Sequence, residues 1–259
     1  MNMQLMLGIQ LSVYFMTLFL ICVYRDKVNV KLGNALFIIA DLGAYLCWNI
    51  AQAQKGWLDD GFMTLENISP YIATIIPLTI FMGPKTKKFA LAAIAFLHAG
   101  MFAALFISPE YVVLFDYSTE ANFVYASEAT FHMIAALFGI YLILTHQVEC
   151  SFGNWLRSIA FMFASITFGV ILNLILDTDC FNMNPNHYGI YMLDIFKDYE
   201  TTRLAYYLGV FLVLTLGMQL GSGFDKLLSK LKKQYAVMVY NHDHRAELHK
   251  EEDKKDTKE

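Results

Sequence analysis

Seven apolar stretches set the terms on which this chain can fold. They cover residues 4–24, 32–53, 68–83, 89–108, 122–145, 155–176 and 204–222. A helix needs about 20 residues to cross the roughly 30 Å hydrocarbon layer of a bilayer, so each stretch reads as a membrane span. The cations follow that threading. Sixteen of the 19 Lys and Arg residues fall on one side: Arg25, Lys27 and Lys31 after the first span, Lys85, Lys87 and Lys88 after the third, Arg157 at the start of the sixth, and nine after the seventh. Only Lys55, Lys197 and Arg203 fall on the other. Basic residues are retained on the cytoplasmic side, which predicts an outside N-terminus and an inside C-terminus. The expected fold is all-α: a polytopic transmembrane helix bundle of about seven spans, multi-pass in a cell membrane.

Hydrophobic residues make up 57% of the 259 positions, above the roughly 45–50% of soluble domains. Seven spans leave no room for a separate soluble domain. The sequence therefore divides into a transmembrane domain at 1–222, a basic amphipathic juxtamembrane helix at 223–240 and a charged, disordered tail at 241–259. In the middle segment Phe224, Leu227, Leu228, Leu231, Tyr235 and Met238 recur at helical spacing, with Lys226, Lys230, Lys232 and Lys233 between them. That pattern fits the anionic inner leaflet of a membrane, so the expected partners are membrane lipid, including a lipid substrate, and no nucleic acid.

Several classes drop out. The first span lacks a positive n-region, its first cation being Arg25, so it is not expected to be a cleaved signal. Cys22, Cys47, Cys150 and Cys180 show no CxxC or Cys/His spacing, so neither a metal site nor a cofactor is expected. The tail histidines His242, His244 and His249 sit in a charged segment and read as incidental. Pro77 interrupts the short third span and is expected to face the bundle, where protein meets the freed carbonyl.

Chemistry concentrates in the polar residues of the spans. An ionisable side chain costs about 2.5–3.5 kcal/mol to insert at a helix centre and usually faces the bundle interior. The candidates are Asp41, His98, Glu128 and His132, with Asn49, Thr79, Asn173 and Gln219 as uncharged companions. Glu128 and His132 lie four apart on one helix face. A carboxylate there holds an imidazole in one tautomer, or the two simply satisfy each other and join helices. Asp41 has no Lys or Arg at its depth in any span, Arg157 standing at the very start of the sixth, so it needs a proton, a histidine or water.

The order of these features resembles the YwaF-like family of bacterial integral membrane proteins, whose eukaryotic relatives are six- to seven-span acyltransferases acting on ether phospholipids. The matching segments are Ile76-Pro77-Leu78-Thr79, Ile107-Ser108-Pro109, Ala129-Thr130-Phe131-His132 and Asp177-Thr178-Asp179-Cys180-Phe181, within about half the chain. The acyl-accepting cysteine of those acyltransferases falls at about Phe81 here, with Thr79 where a histidine often stands. A thioester route is therefore not implied. A more distant resemblance, to the androgen-induced-gene family of intramembrane lipid hydrolases, pairs a Thr with a His, a role open to Thr79 and His132 because a hydroxyl beside a base is a sufficient nucleophile.

Three functions stay open at this point. The first is an intramembrane lipid acyl-ester hydrolase or acyltransferase-like protein, with His132, Glu128 and Thr79 as catalytic residues and Asp41, His98, Asn49 and Asn173 lining its pocket. The second is a small-solute or proton-coupled transporter using the same polar residues. The third is a non-catalytic membrane scaffold. Convergence of Glu128, His132 and Asp41 on one cavity is what separates them.

Overall fold

A computed structural model of the chain describes residues 3–54, 68–107, 122–176, 178, 180–182 and 199–256. Among them every regular element is helical. In order these are α1 (Met3–Tyr24), α2 (Val30–Gln54), α3 (Ile68–Leu78), α4 (Pro84–Ile107), α5 (Asn122–Leu144), α6 (Phe152–Leu176), a 3-10 turn (Cys180–Asn182) and α7 (Tyr199–Asp256). Among the described residues, four helical stretches are long and apolar enough to cross a membrane: Val30–Gln54, Ala126–Leu144, Phe152–Leu176 and Arg203–Tyr240. Gly8–Tyr24 is a shorter apolar helix.

The centre is α5. Every residue from Ala135 to Leu144 is buried, as expected of a helix apolar all round that lies inside others. It packs against α1, α2 and α4, and α4 packs in turn against α6. Phe37 of α2 meets Phe138 and Tyr141, whereas Tyr45 and Trp48, further along α2, meet Phe131. The two helices therefore run antiparallel.

Small residues let the backbones close. Lipid tails are as apolar as leucine, so helices in a bilayer associate through tight packing and interhelical hydrogen bonds. A Cβ added at Gly139 would lie 2.7 Å from the His98 Cβ, and one at Gly217 would collide with the Phe96 carbonyl. Hydrogen bonds across helices add to this: Asn34 and Gln147 exchange amide bonds of 2.8 and 3.2 Å, Tyr71 donates to Ser165 at 2.6 Å, and Trp155 donates to Thr215 at 3.1 Å. Facing outward instead are leucines four residues apart, Leu204, Leu208, Leu212, Leu216 and Leu220. An apolar rim around a packed interior is the surface a bilayer covers, and the protein is a helical membrane protein.

Three local features differ from the sequence pattern. The third span was expected over 68–83, but α3 ends at Leu78. Pro77 sits in its last turn, half-buried, and the chain turns through Thr79–Met82 before Pro84 opens α4. The proline thus marks the stop of a helix more than a kink within one: it cannot donate to the Ala73 carbonyl one turn back, and beyond it the Ile80 and Phe81 N–H groups bond only three residues back, to Pro77 and Leu78. At its C-terminal end α5 stops where His146 takes a left-handed backbone (φ 56°), and the N–H groups of Gln147 and Val148 return to the Leu142 carbonyl.

The third difference is in the tail. The structure divides into a unit at Met1–Gly221 and a second at Ser222–Glu259, and α7 carries residues of both. Within the second unit the helix continues to Asp256, covering 241–256 where a disordered tail was expected. Glu247 with Lys250, and Glu251 with Lys255, stand three and four apart, spacings at which opposite charges support a helix by about 0.2–0.5 kcal/mol each.

Close approach at Gly217 gives a direct test. Gly217→Ala should lower the thermal stability of the detergent-purified protein by about 1–3 kcal/mol, the usual cost of overpacking. Gly43, which has no atom within 4 Å of an added Cβ, serves as the control. Gly43→Ala should hold or raise stability by up to about 1 kcal/mol through helix propensity.

Candidate functional site

His132 is half-buried on α5, its ring stacked on Phe131 at 4.2 Å. Its Nδ1 lies 2.8 Å from the backbone carbonyl of Glu128. A carbonyl oxygen only accepts, so Nδ1 carries the hydrogen and Nε2 keeps its lone pair. The Glu128 side chain is not the group that orients the ring. Helical side chains lean toward the N-terminus, which lays the imidazole over the carbonyl one turn back, while the Glu128 carboxyl lies beside Trp48 of α2.

His98 repeats the pattern on α4. It is 3% exposed, and its Nδ1 lies 2.9 Å from the Ile94 carbonyl. Packed against Gly139, it stands near His132 at the α4–α5 seam. The two histidines are thus brought together, each held in one tautomer by its own helix.

Thr79 is not brought to them. It is buried beyond the end of α3, and its hydroxyl donates to the Ile76 carbonyl at 2.6 Å. No hydrogen bond joins Thr79 to an imidazole among the described residues. Asn49 is also turned to its own helix, donating to the Tyr45 carbonyl at 2.8 Å.

Asn173 has a different task. Its Oδ1 accepts from the Cys180 N–H at 2.6 Å and its Nδ2 donates to the Cys180 carbonyl at 3.0 Å. This two-sided clamp holds the 3-10 turn against α6. Phe181, the next residue, has φ 59°, a conformation that bulky residues adopt at a cost of about 1–3 kcal/mol. Its ring is buried against Gly169 and Tyr71, and that burial together with the Asn173 clamp offsets the strain. Asn173 therefore holds the 3-10 turn against α6.

Asp41 stands apart. It is 0% exposed on the face of α2 turned to α5, and neither carboxylate oxygen has a hydrogen-bond partner. None of Glu128, His132 and Asp41 lines the groove between α1 and α2, and among the described residues no group of three or more His, Cys, Asp or Glu residues could hold a metal.

A cavity opens between α1 and α2. Helices α1 and α2 both rest on α5 with little contact between them, leaving a groove of about 830 Å³. Its walls include Val13, Tyr14 and Leu20 of α1 and Leu36 and Phe37 of α2, and its floor is Met133, Ile134 and Leu137 of α5. Val13 and Leu36 remain about 60% exposed, so the groove opens sideways along the apolar rim. At one end Gln10 of α1 donates to Thr130 at 2.8 Å and to the Ala126 carbonyl at 3.0 Å. At the other, Gly33 lies so close to the Tyr141 hydroxyl that a side chain there would collide with it.

None of the seven residues expected at the site lines this groove. Sequence reasoning missed it because α1 is apolar on every face and no periodicity marks its inner side. The available signal was the pair Gln10 and Thr130, polar residues inside two spans. Comparison with family models, with curated proteins and with solved structures finds no match to this chain.

The Asn173 clamp can be checked on its own. Asn173→Leu leaves a buried N–H and carbonyl of Cys180 unpaired and should destabilise the purified protein by about 1–3 kcal/mol for each group left unsatisfied. Thermal unfolding in detergent reads this, and an unchanged melting temperature would remove the clamp.

Proposed function

We propose that this protein is a seven-span integral membrane protein that takes a lipid acyl chain into the groove between α1 and α2. The single observation that carries this reading is the groove: apolar, laterally open, and about 830 Å³ in volume, within the roughly 300–1,000 Å³ typical of small-molecule sites. Its floor runs from Thr130 to Tyr141, eleven helical steps along α5. At 1.5 Å per residue that is about 16 Å, close to the depth of one leaflet. An acyl chain can slide in from the bilayer without crossing water.

The same reading places Lys85, Lys87 and Lys88 and the Lys226, Lys230, Lys232 and Lys233 segment at the inner leaflet, where anionic headgroups contribute about 1 kcal/mol per cation. The resemblance to YwaF-like proteins and their ether-phospholipid relatives agrees in substrate class. Lipid holding has better support than ester hydrolysis. The Thr79 hydroxyl is engaged by Ile76, and His132 is absent from the groove lining.

A photoreactive phospholipid carrying its label on the acyl chain tests the proposal. Incorporated with the purified protein into vesicles, it should cross-link to α1, α2 and the Met133–Leu137 floor. Ile134→Trp or Leu137→Trp, which fill the groove, should reduce that labelling by about tenfold, equivalent to 1.4 kcal/mol. Labelling spread evenly over the outward leucines of α7, and unchanged in both variants, would refute it.

A further inference from the structure

The polar groups of the bundle differ in one respect that the groove leaves unused. His98, His132, Asn49, Asn173 and Thr79 each close a hydrogen bond. Asp41 closes none, although it is completely buried. One and two turns further along the same face of α2 come the buried Tyr45, whose hydroxyl stands beside Thr74, and the buried Trp48. Residues 41, 45 and 48 form a single file about 10 Å long. Phe131 of α5 and Ala73 of α3 cover its far part, and the Glu128 carboxyl lies beside Trp48. A buried polar group normally finds a partner, so a wholly buried carboxyl with none calls for an explanation.

The surroundings narrow what Asp41 can hold. An unpaired carboxylate in an apolar interior is among the costliest groups a protein can bury. The elements packed on α2 offer it no cation. From α5 the titratable groups are Glu128, His132 and Tyr141, and His132 is engaged by its own helix. From α3 the described titratable group is Tyr71, which donates to Ser165. On α2 itself there is Tyr45, with Lys31 and Cys47 on its exposed side. A metal ion needs several oxygen ligands, and no such cluster exists among the described residues. A proton needs neither a cavity nor a second ligand.

We propose that Asp41 is an intramembrane proton-binding site, taking a proton from water onto one carboxylate oxygen and returning it by way of the Tyr45 hydroxyl. The inference is independent of the acyl-chain groove, whose lining does not include Asp41.

Dicyclohexylcarbodiimide, an apolar reagent that modifies protonated carboxyls, tests it on the full-length protein in vesicles. Peptide mass spectrometry should find the adduct on Asp41, decreasing from acid to alkaline medium, absent in Asp41→Asn and not suppressed by excess sodium. An unmodified Asp41 at acid pH, equal modification at every pH, or protection by sodium would each overturn the proposal. A second arm separates function from structure. The carboxyl has no bond to lose, so Asp41→Asn and Asp41→Leu should melt no lower than the wild type. Melting well below it would make Asp41 a structural residue and overturn the proposal as well.

Discussion

The burial of α5 on all sides is the constraint from which the other features derive. Lipid provides little drive for apolar helices to leave it, so contact must come from close backbone approach and shape fit. Gly139 against α4, and Gly100 and Gly217 where α4 meets α7, allow that approach. Once α5 is enclosed by α2 and α4, α1 can reach it only along the remaining flank. The groove is what that arrangement leaves between α1 and α2. The inward face of α2, with Asp41, Tyr45 and Trp48, is sealed for the same reason.

Two chemically different places therefore coexist. The groove is apolar, open to the side and bounded by polar contacts at its ends, Gln10–Thr130 at one and Tyr141 at the other. The interior file is polar and buried, and its Asp41 carboxyl has no hydrogen-bond partner. Ala40 lines the first and Asp41 belongs to the second, so adjacent residues of α2 face different environments. A lipid lodged in the groove would press on the helix that carries the carboxyl.

The apolar runs made the helical class legible from sequence, because length and hydropathy alone determine whether a segment can satisfy its backbone inside lipid. Burial of Asp41 and His98 was legible for a similar reason, since neither is tolerated against hydrocarbon. Partner choice was not. Spacing put Glu128 above His132, but the backbone carbonyl is nearer the ring than the carboxyl, and periodicity carries no information on that competition. Thr79 was matched to His132 by chemistry alone, and the early end of α3 leaves its hydroxyl bound to Ile76. Asn173 gave no sign that it would clamp Cys180, because a contact seven residues away across a turn has no sequence period.

The sideways-open groove on α5 is the central claim, and a density map of the protein in lipid nanodiscs tests it most directly. The expected result is an elongated density between α1 and α2, lying along Met133, Ile134 and Leu137. Direct packing of α1 against α2, with no space over those three side chains, would contradict it.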